Sequence, residues 1–85
     1  MNTFRLRIAT PEGLMFDGEA SRLLVRAKGG DVGIMANHID YAASVGTGMV
    51  RISLDDGGVK TAACSGGILS IKNKTTRLIA DTFEW

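Results

Sequence analysis

The residues of this chain that could carry chemistry lie in two glycine-rich stretches. One runs from Gly29 to His38 and holds the single histidine, and the other, Ala63-Cys64-Ser65-Gly66-Gly67, holds the single cysteine. A serine nucleophile on a sharp turn needs a glycine two residues before it and a helix after it, whereas here Ala63 occupies the glycine position and no helical pattern follows. The paired glycines instead favour a bulge, or a close approach of a neighbouring strand.

The first stretch can be tested for phosphate and metal binding. Residues 29–33 lack the G-x-G-x-x-G spacing and the following helix of a dinucleotide site, and no Gly-Lys-Ser/Thr loop occurs. His38 and Asp40 could supply two ligands, but one histidine and one cysteine cannot form a dedicated zinc site. The candidates for an acid–base pair are Asp17, Asp31, Asp40 and Asp81. They could act in this way only if the fold brings two of them together. Aspartates at the ends of strands are usually turn residues exposed to solvent. We therefore predict no catalytic residue, no metal and no cofactor.

Size and charge exclude several protein classes. The 85 residues suffice for one domain, 1–85, and their ten Lys plus Arg against nine Asp plus Glu give a formal charge of +1. The two signs are interspersed, so no basic region for nucleic acid or anionic lipid is visible. No apolar run approaches the roughly 20 residues that cross a bilayer. Partners should be recognised by shape and local contacts.

The cysteine and the amino terminus indicate a reducing compartment. Cys64 cannot form an internal disulfide, and beside Ala62 and Ala63 it is expected to be a buried structural thiol. Residues 1–5 are not followed by an uninterrupted apolar stretch, which argues against a secretory signal. We therefore expect a cytoplasmic location.

Period-two alternation predicts strands along most of the chain. Apolar and polar residues alternate in 4–8, 22–27 and 50–55, although Leu24 is apolar where a polar residue is expected, which indicates a partly covered face. Turns are predicted at Thr10-Pro11-Glu12-Gly13, and hairpins at 55–58 and 72–75. Strands every eight to twelve residues with glycine turns predict an all-β fold, an antiparallel β-sandwich or flattened barrel.

Several motifs also follow one another in a distinctive order. They are Phe4-Arg5-Leu6-Arg7-Ile8, Thr10-Pro11-Glu12-Gly13, Phe16-Asp17-Gly18-Glu19, Gly30-Asp31-Val32-Gly33-Ile34 with His38, Gly48-Met49-Val50-Arg51-Ile52, Ser65-Gly66-Gly67-Ile68-Leu69 and Leu78-Ile79-Ala80-Asp81-Thr82. This succession covers nearly all of the chain and resembles the amino-terminal domain of the epsilon subunit of F-type ATP synthases. The combination of G-D-x-G-I…H, S-G-G-x-L and A-D-T carries the resemblance, because no single motif is specific.

The resemblance implies a sandwich of about ten short strands and a structural function. Such a domain belongs to the central rotor stalk, where it links the gamma subunit to the membrane c-ring and helps couple ion translocation to ATP synthesis. It would be a non-catalytic subunit of the complex, without a cofactor. It would lie on the cytoplasmic face of the cell membrane and reach the membrane only through the ring.

The resemblance also assigns contact residues. Those expected to face the polar loops of the c-ring are Lys28, Gly29, Gly30 and Asp31. Those expected to face gamma are Thr10, His38, Ile39, Tyr41 and Ala42. The plainer alternative is that Asp31 and His38 are turn residues and Tyr41 is a core residue.

Two departures from the family pattern are visible. The family commonly has Pro-Gly before the histidine and a proline after it, whereas this chain has Ala36-Asn37 and Ile39-Asp40, which should make the loop less rigid. The sequence also stops at Trp85, where most members continue into two helices that carry inhibition of hydrolysis and, in some members, ATP binding. A free-standing β-sandwich that binds a small ligand or a protein is the alternative function.

Overall fold

The strands account for most of the chain. The computed structural model describes residues 3–27, 30–36, 40–73 and 75–85. They form seven strands and no helix: β1 (Phe4–Thr10), β2 (Gly13–Ala27), β3 (Gly30–Met35), β4 (Tyr41–Ser44), β5 (Gly48–Leu54), β6 (Val59–Lys72) and β7 (Thr75–Glu84). Accordingly, these ranges contain no helix of the length and apolarity that a membrane crossing requires.

The strands pair into a continuous ring. Following the hydrogen bonds, β1 pairs with β7, β7 with β6, β6 with β5, β5 with β2, and β2 with β1 again. The β1–β7 pair is parallel, while the other pairs are antiparallel. β3 adds to β2 and β4 adds to β6 outside the ring.

Three strands are long because each bends and passes from one layer of the sandwich to the other. In β6 the buried residues are Ala62 and Cys64 before the bend, and Leu69 and Ile71 after it, so the inward positions change from even to odd. β2 and β7 make the same change near residues 20–22 and 81–82. Side chains alternate strictly along a regular strand, so each change marks a rotation of the backbone.

The glycine pair of β6 permits its bend. Gly66 has φ of 63° and Gly67 has φ of 140°, both in the region that favours glycine. A Cβ on Gly67 would overlap the carbonyl oxygen of Ile79 and lie 2.8 Å from Ala80 Cα. The predicted close approach of a neighbouring strand is thus confirmed. There is no bulge, because the register with β7 is the same on both sides of the pair.

The bends divide the ring into two layers that face each other. The first layer contains residues 13–20 of β2, then β1, the start of β7, the end of β6, and β4. The second layer contains β3, residues 22–27 of β2, β5, the start of β6, and the end of β7. Counting the halves of the three bent strands separately gives ten segments, so the predicted β-sandwich is confirmed.

One core lies between the layers and draws on both. Leu6, Ile8 and Leu78 of the first layer and Leu23 and Ile52 of the second are fully buried. Each such side chain stabilises the fold by about 1.5–3 kcal/mol relative to an exposed one. Among the described residues no buried side-chain nitrogen or oxygen lacks a hydrogen-bond partner. The layers are therefore expected to fold as one unit.

The predicted turns are also confirmed. Gly13 follows the Pro11 turn with φ of 135°. In the β5–β6 hairpin, Leu54 N–H donates to Gly58 O at 2.7 Å and Gly58 N–H donates to Asp56 Oδ1 at 2.8 Å. At the β6–β7 hairpin Lys72 pairs with Thr75, and Asn73 takes the positive φ of 53° that a tight turn needs.

Candidate docking surfaces

A row of apolar residues crosses the outer face of the first layer, and we call it the apolar row. The strand register places its members side by side on neighbouring strands, in the order Leu14, Ala9, Ile79 and Ile68. The two isoleucines are each 57% exposed and the leucine is 52% exposed. Exposed aliphatic side chains in one continuous line are typical of an interaction surface, whereas single ones are not informative.

Two arginines beside the apolar row share one carboxylate. Arg5 Nη2 lies 2.6 Å from Asp17 Oδ1, and Arg7 Nε lies 3.8 Å from the same oxygen. Arg7 and Arg77 border a depression of about 190 Å³ whose apolar lining includes Leu14 and Ile79. This face therefore offers apolar area beside the Arg5 and Arg7 pair with Asp17, while Arg77 has no carboxylate within ion-pair distance among the described residues.

Thr10 and Ala42, two of the residues predicted to contact gamma, lie on this layer. Thr10 ends β1, next to the apolar row, and its Oγ1 accepts a hydrogen bond from Glu12 N–H at 3.1 Å. Ala42 is exposed on the outer face, where it pairs with Ser70. Tyr41 points to the opposite side of β4, since it pairs with the buried Ile71, and it is 38% exposed.

Gly30 and Asp31, predicted to contact the c-ring, lie at the end of the second layer. They open β3 at its hairpin with β2, opposite Ala27 and Arg26. Asp31 Oδ1 is 3.5 Å from Arg26 Nε, with the two side chains 58% and 61% exposed. An ion pair this exposed contributes little to the stability of the fold, about 0–1 kcal/mol. The carboxylate of Asp31 therefore remains available to a basic partner.

The structure brings the two predicted contact regions close to each other. A bridge between Ala27 and Val45 joins the end of β2 to the residue after β4, and Gly46 N–H donates to Arg26 O at 3.0 Å. Gly30 pairs with Ala27 and is thus near the carboxyl end of β4, the strand that contains Ala42. The other predicted contact residues lie outside the described residues: Lys28, Gly29, His38 and Ile39.

The candidate chemical residues have structural partners. Ser65 Oγ lies 2.7 Å from Thr82 Oγ1, so its partner is another hydroxyl rather than a base. Burial raises the pKa of the Cys64 thiol above its usual value, which keeps it protonated and unreactive near neutrality. Cys64 is 4% exposed, as predicted for a structural thiol. No three metal-ligating side chains come together within 3–27, 30–36, 40–73 and 75–85.

Sequence reasoning missed the apolar row. Its signal is the occurrence of two adjacent apolar residues inside a strand, Ile68 before Leu69 and Leu78 before Ile79. Because neighbouring side chains point to opposite faces, one residue of each pair must face outwards. The fold then aligns the outward residues, which no single strand reveals.

Comparisons with known proteins identify relatives over nearly the full chain. The family model of the β-sandwich domain of the ATP synthase delta/epsilon chain matches residues 3–85. The ATP synthase epsilon chain of Alkaliphilus oremlandii is 43% identical over 84 residues, which are 99% of this chain and 62% of that relative. The sodium ion specific epsilon chain of Acetobacterium woodii is 34% identical over 98% of this chain and 62% of its own length. This chain therefore spans about three fifths of those relatives.

Solved structures with the same fold come from two mitochondrial ATP synthases. A chain of the Euglena gracilis complex of OSCP, F1 and c-ring superposes with a TM-score of 0.89 at 13% identity, covering 95% of this chain and 52% of that one. A chain of the Tetrahymena thermophila central stalk and c-ring gives a TM-score of 0.78 at 16% identity, covering 93% and 63%. At such identities the similarity confirms the fold alone.

Proposed function

Because this chain belongs to the delta/epsilon family of ATP synthase β-sandwich domains, we propose that it is the sandwich of an epsilon-type subunit in the central stalk. In this proposal it joins gamma to the c-ring and performs no chemistry of its own. Ion-driven rotation of the ring passes through it to the catalytic head, on the cytoplasmic face of the membrane. The family match along 3–85, together with the apolar row, is the observation that carries the proposal.

The outer face of the first layer is the surface proposed to meet gamma. The apolar row supplies four aliphatic side chains on adjacent strands, and Thr10 and Ala42 lie on the same layer. Aliphatic contacts in the centre with polar groups around them are the usual composition of a stable protein interface. Tyr41, His38 and Ile39 belong to this proposed contact by family resemblance. Tyr41 would reach gamma from the amino-terminal end of β4, where it is the first residue.

The β2–β3 hairpin is the part proposed to meet the polar loops of the c-ring. It presents Gly30 and Asp31, preceded by Lys28 and Gly29, at one end of the second layer. The side chain of Asp31 is 58% exposed, so a basic residue of the ring could replace Arg26 as its partner without rearrangement of the strand. Contact at this end and contact through the first layer could occur together, because they involve different surfaces.

Binding to gamma tests the main proposal. The parent chain and two variants, Ile79→Asp and Met49→Asp, would be titrated with purified gamma subunit of Alkaliphilus oremlandii in a calorimeter. Ile79 and Met49 are 57% and 62% exposed, so each change places a carboxylate on an exposed strand position, but on opposite layers. We expect Ile79→Asp to weaken binding about tenfold or more and Met49→Asp to leave it within about twofold.

Two outcomes would contradict the proposal. If the parent chain does not bind gamma at all, the stalk function is wrong for this protein. If Met49→Asp weakens binding as much as Ile79→Asp, then gamma contacts the second layer, and the assignment of the apolar row is wrong. Circular dichroism of all three proteins establishes that a loss of binding is not a loss of folding.

The ring contact is tested separately with Asp31→Arg. Reversal of this charge should weaken attachment of the chain to detergent-solubilised c-ring with bound gamma, because a favourable ion pair would become a repulsion. Asp55→Arg, in the exposed β5–β6 turn, makes the same change of charge elsewhere and should have no effect. Equal attachment of both variants would exclude Asp31 from the ring contact.

A further inference from the structure

The outer face of the second layer carries a cluster of three arginines, of which the proposed function involves only Arg26, the partner of Asp31. Arg22 and Arg26 point outwards from β2, and Arg51 points outwards from β5, where it is paired with Leu24. The three arginines therefore lie around one half-buried leucine on two adjacent strands. Leu24 is the apolar residue that interrupts the polar side of this strand.

A groove runs through this cluster, and we call it the arginine groove. One depression of about 490 Å³ is lined by Arg26, Asp31 and Met49, among others, and a second of about 260 Å³ is lined by Arg22 and Val59. Both are bordered by Leu24 and Arg51, so they adjoin each other at the centre of the face. The groove thus consists of two adjoining depressions, one beside Arg26 and the other beside Arg22.

The positions of two glycines show how the arginine side chains lie along the face. A Cβ on Gly48 would come within 3.1 Å of both Cβ and Cδ of Arg26, and a Cβ on Gly33 would lie 3.8 Å from Nη2 of Arg22. Gly48 therefore has the side chain of Arg26 packed against its backbone. The guanidinium of Arg22 extends towards β3 beside Leu24, because Gly33 is the residue opposite Leu24.

The charge of the groove is not neutralised within the described part of the chain. Arg22 and Arg51 have no carboxylate within ion-pair distance among the described residues, and Arg26 has only the 3.5 Å contact with Asp31. A cluster of like charges on one face raises the local potential and attracts an acidic partner. The groove therefore has the electrostatic character that a negatively charged segment would complement.

Exposed apolar residues surround the arginines. Met35, Met49 and Val59 are 60%, 62% and 50% exposed on the same face. Methionine and arginine are both enriched in the centres of protein interfaces, and methionine adapts its shape to different partners. A partner for this face should therefore bring apolar side chains as well as carboxylates.

We infer that the arginine groove docks an acidic amphipathic segment of a partner protein. A small anion explains the arrangement less well, because Arg22 and Arg26 are four residues apart on one strand, or roughly 13 Å. The two side chains also run to opposite sides of β2, Arg26 against Gly48 of β5 and Arg22 towards Gly33 of β3, so they do not converge on one phosphate. A helix with carboxylates on successive turns presents negative charges about 5.4 and 10.8 Å apart. This inference concerns the face opposite the proposed gamma contact and does not depend on that contact.

The test uses the full chain labelled with ¹⁵N and a synthetic peptide as the probe. The peptide has about 14 residues, with glutamates on successive helical turns of one side and leucines beside them. A control peptide has glutamine in place of each glutamate. We expect the acidic peptide to shift amide signals of β2, β3 and β5 while the signals of β1 remain unchanged, and the control peptide to bind about tenfold more weakly or not at all.

Variants of the chain complete the test. The double variant Arg22→Gln/Arg51→Gln should bind the acidic peptide about tenfold or more weakly, and Arg77→Gln, which removes an exposed arginine from the first layer, should bind like the parent. Absence of peptide binding, shifts confined to the first layer, or equal binding by the double variant would each overturn the inference. Displacement of the peptide by an equal concentration of inorganic pyrophosphate would overturn it in favour of a small-anion site.

Discussion

The two outer faces of the sandwich are built from the same kinds of residues but present different surfaces. On the first layer Arg5 and Arg7 share Asp17, and an uninterrupted line of aliphatic side chains crosses the strands. On the second layer Arg22 and Arg51 lack such a carboxylate among the described residues, and the apolar residues are scattered around them. Among the described arginines, Arg77 of the first layer lacks a carboxylate partner, whereas Arg22 and Arg51 both lack one on the second. The second layer therefore has the greater excess of unpaired positive charge and is the face better suited to an acidic partner.

The difference is confined to the surface, because the layers share one interior. Leu78 of the first layer and Leu23 of the second are both fully buried in the same cluster. Three strands pass continuously from one layer to the other, so neither layer can separate without breaking them. Each face can thus be altered by substitution while the other acts as an internal reference.

The largest expected effect tests this shared interior. Leu23→Ala and Leu78→Ala should each lower the free energy of unfolding by about 2–5 kcal/mol, because each leaves a cavity in one core. Urea titrations followed by both circular dichroism and Trp85 fluorescence would measure this. The two probes should give one coincident transition in each variant. Separate transitions, or a large loss for only one leucine, would mean that the layers are independently stable.

The next effect concerns the bend that connects the layers. Gly67→Ala should lower the free energy of unfolding by about 3 kcal/mol, because the new Cβ would overlap Ile79 O and the φ of 140° is unfavourable for alanine. Gly46→Ala is the matched control, since no atom lies within 4 Å of the position that a Cβ would take there. Equal stability of the two variants in urea would show that β6 can bend without a glycine at 67.

Much of this fold could be predicted from the sequence, since alternation and turn chemistry are local. The alternation in 4–8 and 50–55 corresponds to β1 and β5, and the hairpins at 55–58 and 72–75 are present. The crossing of β2 between layers was not predicted, because no glycine marks it. There the register shifts between Ala20 and Arg22, and Ser21 Oγ donates to Ser53 O at 3.2 Å.

The surfaces were harder to predict, because they depend on the register between strands. The charges are interspersed along the sequence, yet the fold collects Arg22, Arg26 and Arg51 on one face. A shift of one residue in either strand would send these side chains to the opposite side. Sequence alone fixes the faces of a strand but not its neighbours, and the family resemblance supplied contact residues without showing the apolar row.

A smaller effect concerns the thiol between the layers. Burial raises the pKa of Cys64 in the folded state, so above roughly pH 8.5 the unfolded chain loses this proton first. The free energy of unfolding should therefore fall as the pH rises through that range, by no more than about 1.4 kcal/mol per pH unit. Urea titrations from pH 7 to 10 would measure the slope.

Cys64→Ala provides the reference for this slope. Its stability at pH 7 is lowered by the small cavity, but the part of the alkaline slope that comes from the thiol should disappear. The thiol of the parent should also react with Ellman's reagent only as fast as the protein opens, because Cys64 is 4% exposed. Identical slopes in parent and variant, or rapid labelling of folded protein, would show that the thiol is accessible to solvent.

The smallest effect bears directly on the contrast between the two faces. Asp17→Asn removes the carboxylate shared by Arg5 and Arg7 and should lower the free energy of unfolding by about 0.5–1 kcal/mol, as for other exposed ion pairs. Arg51→Gln removes a charge without an ion-pair partner among the described residues, so the free energy of unfolding should stay the same or rise slightly. The loss for Asp17→Asn should also shrink in 1 M salt, where charges are screened within about 3 Å. If both variants lose the same stability at low salt, then the arginines of the second layer also have carboxylate partners in solution, and the electrostatic difference between the faces does not exist.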